Sequence, residues 1–150
     1  MTEKAYQFWN NLIGWTLFGL ALLTFGSTVE PTASYWDCAE YIATSAKLQV
    51  GHPPGAPFFQ MMGAFFASFA SSTEKIALMV NYMSVFSSAF TILFLFWTLT
   101  LILRKIPSFS GLESLSQKIG FFGSATVGAM ACCFSGSCWF NAVEAEVYAM

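Results

Sequence analysis

Two short segments of the sequence carry closely spaced carboxylates. Asp37 and Glu40 are three residues apart, so on a helix they would share one face. Glu144 and Glu146 form a second acidic pair near the end of the chain. If the two segments met, their carboxylates could act as a general base or hold a divalent cation that prefers oxygen ligands. These four acids are therefore candidates for chemistry.

Each acid also has a purely structural explanation. Ser34 followed by Asp37 is close to a capping box, in which Asp37 would satisfy a free N–H of the first helical turn. On local sequence alone this explanation of Asp37 is favoured over catalysis. Glu40 could be a solvated acid or a partner for Lys47. The second pair follows aromatic residues and could belong to a membrane-interface belt.

The single histidine and the four cysteines give weaker signals. His52 is the only histidine, so a multi-histidine zinc site within this chain is excluded. It lies beside two prolines, where the role of a polar turn residue is favoured over that of an acid, a base or a phosphate contact. The cysteines lack metal-ligand spacing. Cys38 and Cys138 could pair as a disulfide if both faced an oxidising compartment.

The composition indicates the surroundings in which these residues act. Of 150 residues, 56% are hydrophobic and 9% are charged, with a net charge of −2. Disordered chains have many charges and few aromatic residues, whereas 18% of this chain is aromatic. Nucleic-acid binding needs clustered Lys and Arg, and the chain has six in total. We therefore expect no nucleic-acid partner, and the solvent implied is the lipid bilayer.

Three apolar stretches are long enough to cross a bilayer, which takes about 20 helical residues. They predict transmembrane helices over about residues 8–27, 76–103 and 119–140. The second and third stretches contain no charged residue. For the first stretch a cleaved signal peptide is the alternative, but its leading segment has one Lys beside a Glu, which fits a signal peptide poorly.

The loop between the first two spans, residues 28–75, holds the first acidic pair. We expect helices over about 35–49 and 57–71 to lie along the membrane surface. The apolar run there reaches only about 22 Å as a helix, which is too short to cross the bilayer. The predicted fold class is thus an all-α membrane protein with three transmembrane helices and amphipathic interfacial helices in the first external loop.

The distribution of basic residues predicts the orientation, since Lys and Arg in short loops favour the cytoplasmic side. Four of the six lie at the N-terminus and in the loop 104–118, which places both on the cytoplasmic side. The loop 28–75 and the segment 141–150, with most of the acids, are then external.

Two blocks in the first loop are specific enough to carry a resemblance. The blocks are Trp36-Asp-Cys-Ala-Glu40 and Gly51-His-Pro-Pro-Gly-Ala-Pro57. At this spacing they closely resemble the N-terminal signature of the DUF 2723, transmembrane protein 260-like membrane proteins. Those proteins are similar to protein O-mannosyltransferases and belong with the GT-C glycosyltransferases. The segment 139–148 also looks like that family, so the resemblance covers nearly the whole chain.

The resemblance implies an inverting membrane enzyme that transfers a hexose such as mannose on the external side. The donor would be a polyprenyl-phosphate-linked sugar, and the acceptor would be a hydroxyl group of a protein Ser or Thr or of a glycan. It implies Asp37 as the catalytic base, with Glu40 as the second catalytic candidate. The residues expected to bind the donor are His52, Glu144, Glu146 and Tyr148. If a divalent cation is the cofactor, its ligands would be Asp37, Glu144 and Glu146.

The chain departs from the family in its length. GT-C enzymes have many more spans than three, and three spans cannot enclose a donor cavity. We therefore expect residues 1–150 to be the N-terminal part of a GT-C-type membrane domain, inactive alone. The alternative function is a non-catalytic multi-spanning scaffold or assembly subunit with an acidic external binding loop.

Overall fold

The computed structural model describes residues 1–34, 37–53, 55–109 and 111–149. Those residues form helices and connecting turns, without a strand among them. The α-helices of the described residues are α1 (Glu3–Ser27), α2 (Cys38–Lys47), α3 (Pro57–Ala67), α4 (Ile76–Leu103), α5 (Leu115–Cys133) and α6 (Gly136–Val143). Short 3₁₀ helices cover Thr73–Lys75, Pro107–Phe109 and Val147–Ala149. The all-α class is confirmed.

Two of these helices are long and apolar enough to cross a membrane. α1 has 25 residues and α4 has 28, which at about 1.5 Å per residue exceed the hydrocarbon thickness of a bilayer. The bounds of α4 are those predicted from the uncharged stretch, whereas α1 begins five residues earlier than the predicted 8–27. The protein is therefore a membrane protein with at least two candidate spans in its described part.

The third apolar stretch is broken. The sequence predicts one helix over 119–140, but α5 and α6 are separated at residues 134–135 and meet at an angle of 61°. The pair is either one broken span or a re-entrant loop. The Ser135 hydroxyl donates to the carbonyl of Cys132 at 2.8 Å, and Gly136 follows it. Ser and Gly at these positions compete with or weaken regular helical bonding, which accounts for the break.

The start of α5 also lies outside the predicted bounds, within the expected loop 104–118. Ser114 is its N-cap and accepts a hydrogen bond from the backbone N–H of Gln117, at 3.1 Å. The Gln117 side chain accepts in return from the backbone N–H of Ser114, at 3.1 Å. This reciprocal capping box fixes the helix start.

Along the chain, α2 and α3 lie between the two long helices α1 and α4. α2 falls inside the predicted range 35–49, whose residues 35 and 36 lie outside the described residues, and α3 is four residues shorter than the predicted 57–71. Pro57 opens α3, where its missing N–H costs no hydrogen bond. α3 is amphipathic. Its exposed face consists of Phe58, Met61 and Phe65, with Phe69 just beyond its end, and its buried face of Phe59, Gln60 and Gly63.

Close packing joins α2 and α3. A β-carbon at Gly63 would lie 2.5 Å from the Ser45 hydroxyl oxygen, so only glycine allows this approach. Beside it, the Gln60 amide donates to the Thr44 hydroxyl at 3.2 Å. Leu48, the C-cap of α2, is exposed and adopts the left-handed conformation with φ 50° and ψ 46°.

The chain divides into two compact units. Unit 1 comprises Met1–Ala21 and Ala89–Ser135, and one core cluster within it is formed by Tyr6, Leu112 and Phe121. Unit 2 comprises Leu22–Ser88 and Gly136–Met150. Its core cluster consists of Cys38, Ile42, Phe59, Val80, Met83 and Ala145. Both acidic segments and His52 belong to unit 2.

Candidate active site

Asp37 is the N-cap residue of α2. Its backbone is already helical (φ −74°, ψ −14°), and its carbonyl accepts from the N–H of Tyr41 at 2.9 Å. Its side chain makes no capping hydrogen bond. The capping role expected for this carboxylate is therefore not seen, and the helix leaves the exposed Asp37 carboxylate available to other groups.

Glu40, one turn along α2, binds His52 with both carboxylate oxygens. Oε1 accepts from the backbone N–H of His52 at 2.7 Å, and Oε2 accepts from His52 Nδ1 at 2.9 Å. The hydrogen bond from the backbone of His52, then that from its ring, lowers the pKa of Glu40. The same ring hydrogen bond, followed by the carboxylate charge, raises the pKa of His52. Glu40 thus fixes the His52 turn onto α2.

The glycine before His52 permits this contact. A β-carbon at Gly51 would lie 3.2 Å from Glu40 Oε1 and 3.0 Å from the Gln60 amide nitrogen. Both distances are tighter than almost all real β-carbon contacts, so a side chain at Gly51 would displace the carboxylate or the amide. Glycine at this position lets the turn approach α2 and α3 without that displacement.

Asp37 lies beside the Glu40–His52 pair. One ligand atom from each of Asp37, Glu40 and His52 falls within 4.8 Å of the others. Two carboxylate oxygens and one imidazole nitrogen are a donor set suited to divalent metals such as Zn²⁺ or Mn²⁺. Of the three metal ligands expected from the sequence, this group includes Asp37 but neither Glu144 nor Glu146, so the expected set stays a prediction.

The second acidic segment follows α6 directly. Glu144 is 3% exposed, and Glu146 is partly buried. Burial raises the pKa of Glu146, and the negative charges of Glu144 and Asp37 raise it further. The charge of Asp37 thus acts on Glu146 across the two acidic segments of unit 2. Tyr148, in the last 3₁₀ helix, is 86% exposed.

Tyr41 lies among these groups. Its ring centroid is 5.1 Å from that of Phe59 and 6.3 Å from that of His52. Burial raises the pKa of Tyr41, and the charges of Asp37, Glu146 and Glu40 add to this rise. The Tyr41 hydroxyl therefore stays protonated at neutral pH and is a hydrogen-bond donor next to the acids.

Asn81 is a residue that the sequence reasoning missed. It lies in the second turn of α4 and is fully buried. Its amide nitrogen donates to the carbonyls of Glu30 and Thr32, at 2.7 and 3.0 Å. The available signal was an amide side chain inside a long uncharged helix, where polar groups need a partner.

Cys38, next to Asp37, is fully buried and does not form the disulfide that the sequence permits with Cys138. Burial raises the pKa of the Cys38 thiol, against the effect of hydrogen bonds from the backbone of Ser34 and Ala145. The thiol is therefore a neutral group in the core of unit 2 rather than a nucleophile.

Comparison with known proteins gives two matches. Residues 37–150 match the family model described as the protein O-mannosyl-transferase TMEM260 N-terminal domain, and the match begins at Asp37. A protein O-mannosyl-transferase tmem260 from Dictyostelium discoideum is 29% identical over 86 residues, which cover 57% of this chain. The chain spans 10% of the length of that curated relative. No solved structure matches the chain.

Proposed function

This chain belongs to the TMEM260 N-terminal domain family of protein O-mannosyl-transferases, and on that premise we propose that it supplies the catalytic base of a membrane glycosyltransferase. The full-length enzyme would transfer mannose from a polyprenyl-phosphate donor to the hydroxyl group of a protein Ser or Thr. The reaction would take place on the external side of the membrane and invert the sugar carbon.

The observation that carries the proposal is the environment of Asp37. Its carboxylate is exposed and not used by its own helix, although Asp is a strong N-capping residue. Glu40, by contrast, is occupied by His52 through both oxygens. Of the two catalytic candidates on α2, Asp37 is therefore the one whose carboxylate can reach a substrate hydroxyl.

The proposed step is a single displacement. Asp37 takes the proton from the acceptor hydroxyl as its oxygen bonds to the anomeric carbon of the sugar. The bond between that carbon and the donor phosphate oxygen breaks, and the polyprenyl phosphate leaves with the electron pair. His52 would contact the donor phosphate from the turn that Glu40 fixes on α2. Glu144, Glu146 and Tyr148 remain proposed donor-binding residues.

Asp37→Asn in the full-length protein tests the base. The substitution keeps the size of the side chain and removes its ability to take a proton. We expect the rate of sugar transfer to fall about 10²- to 10⁴-fold, the usual contribution of a general base. The measurement is transfer of labelled mannose from a polyprenyl-phosphate donor to an acceptor peptide in membranes. Glu74→Gln is the matched control, because Glu74 is an exposed acid of the same loop outside the site.

Donor binding separates the enzyme from a scaffold. Asp37→Asn should still bind the labelled donor in a saturable manner, because the base acts on the acceptor. Transfer at the wild-type rate by Asp37→Asn would refute the assignment of the base. Failure of the wild-type protein to bind the donor saturably would favour the non-catalytic scaffold.

A further inference from the structure

The buried amide of Asn81 lies where α4 meets the segment that leads to Asp37. Its hydrogen-bond partners lie outside its own helix. Its Nδ2 donates to the carbonyls of Glu30 and Thr32. Its Oδ1 lies 4.0 Å from the Cys38 sulfur, at the long limit for a thiol hydrogen bond. One side chain therefore touches the chain both before and after Asp37.

The segment held by Asn81 is also joined to the second acidic segment. The backbone N–H of Glu30 donates to the carbonyl of Val143, at 2.9 Å, and Val143 immediately precedes Glu144. The carbonyl of the same Glu30 accepts from Asn81. Both main-chain groups of Glu30 are thus bonded, one toward α6 and the other toward α4. Asn81 is therefore connected, through the main chain of Glu30, to the residue that precedes Glu144.

Cys38, the residue after Asp37, is anchored in the core of unit 2. Cys38 and Ala145, the residue after Glu144, belong to the same buried core cluster. The Cys38 side chain has no exposed surface. Asp37 itself is exposed, so its position depends on the buried contacts of its neighbours.

We infer that Asn81 is a positioning residue, whose two hydrogen bonds to the Glu30 and Thr32 carbonyls place the Asp37 carboxylate relative to the acidic segment that follows α6. This inference rests on the proposed function, in which Asp37 is the base. Asn81 touches no reacting atom and acts through the main chain. Loss of its amide would leave two carbonyls without their donor and free the segment to shift. A shift of about 1 Å at a catalytic group can cost 10²-fold in rate.

The kinetic test uses full-length protein with Asn81→Ala or Asn81→Asp. Asn81→Asp keeps the shape of the side chain but replaces the donating nitrogen by an oxygen that faces two carbonyl oxygens. In both variants we expect kcat to fall about 10- to 100-fold while KM for the donor changes little, because the base moves and the donor contacts remain. A simple loss of folded protein would lower the amount of active enzyme but not the kcat per folded molecule.

The second readout does not depend on catalysis. In a variant that keeps Cys38 as its one cysteine, alkylation of Cys38 should be slow, and Asn81→Ala should speed it about tenfold or more by opening the segment. Ser84→Ala is the matched control. Ser84 lies one turn along α4, is equally buried, and its hydroxyl has no hydrogen-bond partner among the described residues. This control should leave both readouts unchanged.

Wild-type kcat together with wild-type protection of Cys38, in either folded Asn81 variant, would overturn the inference. A parallel fall of kcat in Ser84→Ala would also overturn it, since packing alone would then account for the loss. If the wild-type protein transfers no sugar, the proposed function fails, and the alkylation rate alone decides whether Asn81 holds the segment.

Discussion

Asp37 and Glu40 lie one turn apart on the same helix, and their surroundings separate their roles. Glu40 is engaged by two hydrogen bonds from His52, whereas Asp37 is the N-cap without using its side chain as a cap. Sequence spacing places both acids on one face but carries no information about which of them a distant turn will engage. The partner of Glu40 is twelve residues away, and Gly51 leaves room for its close approach.

The Glu40–His52 pair gives a prediction for pH dependence. The pKa of His52 is raised above its ordinary 6.5, so its stabilising contact with Glu40 is complete below that value and is lost as the pH rises through the raised pKa. The pKa of Glu40 is lowered from 4.5, so its contribution is complete above that value and is lost as the pH falls through the lowered pKa. The Glu40–His52 pair is therefore most stabilising between pH 4.5 and pH 6.5, the ordinary pKa values of the two groups.

NMR titration of the His52 ring measures this effect. We expect a midpoint above 6.5 in the wild type and a lower midpoint in Glu40→Gln, which removes the negative partner. Glu74→Gln should leave the His52 midpoint unchanged, because Glu74 is not among the groups that shift it. Equal midpoints in the wild type and in Glu40→Gln would contradict the contact.

At the scale of helices, α4 was predictable and α5–α6 was not. α4 is one uncharged stretch, so length and composition alone give its bounds. The third stretch is also uncharged, but Ser135 and Gly136 interrupt it, and hydropathy does not detect a local break of this kind. The capping box of Ser114 and Gln117 can be read from the sequence as Ser-x-x-Gln, although the Pro, Gly and Ser residues around it favour a loop.

Packing of α2 on α3 gives a prediction at this scale. Gly63→Ala should destabilise the protein by about 1–3 kcal/mol, the usual cost of overpacking, because the new methyl group would overlap Ser45. Gly123→Ala is the matched control, since a β-carbon at Gly123 meets nothing within 4 Å. The control should be neutral or slightly stabilising through its better helix propensity. Thermal unfolding in detergent measures both.

A compensating change sharpens that test. Ser45→Gly removes both atoms that the Gly63→Ala methyl group would meet, the Ser45 hydroxyl oxygen and β-carbon. The loss of unfolding free energy in the double variant should therefore be smaller than the sum of the losses in the two single variants. Strict additivity would show that Gly63 and Ser45 do not constrain one another.

For the molecule as a whole, the unequal distribution of basic residues predicts orientation. The side carrying Lys4, Arg104, Lys105 and Lys118 is expected to be cytoplasmic, and the loop 28–75 external. Single cysteines placed at the exposed Gln49 and Ser108, in a background without native cysteines, test this. An impermeant thiol reagent added outside should label Gln49→Cys in intact cells and Ser108→Cys only after permeabilisation. The reverse pattern would contradict the orientation.

The same labelling decides how the bent pair α5–α6 sits in the membrane. The proposed site needs Tyr148 on the same side as His52, because both are proposed to contact the donor. Tyr148 is well exposed, so Tyr148→Cys should be labelled from outside together with Gln49→Cys. Labelling of Tyr148→Cys together with Ser108→Cys would mean that the pair returns to its starting side, and the two acidic segments could not then form one site.

The end of α2 combines a strained backbone with exposed apolar side chains. Leu48 is left-handed, a conformation that costs a residue with a β-carbon about 1–2 kcal/mol. Its side chain is 73% exposed, and that of nearby Val50 is 91% exposed. Insertion of a leucine side chain among acyl chains gains about 1.5–3 kcal/mol, which is enough to offset the strain. On the expected placement of α2 at the membrane surface, the left-handed conformation of Leu48 would be coupled to insertion of its side chain, and the bilayer would then help to set the conformation of the chain that leads into the His52 turn.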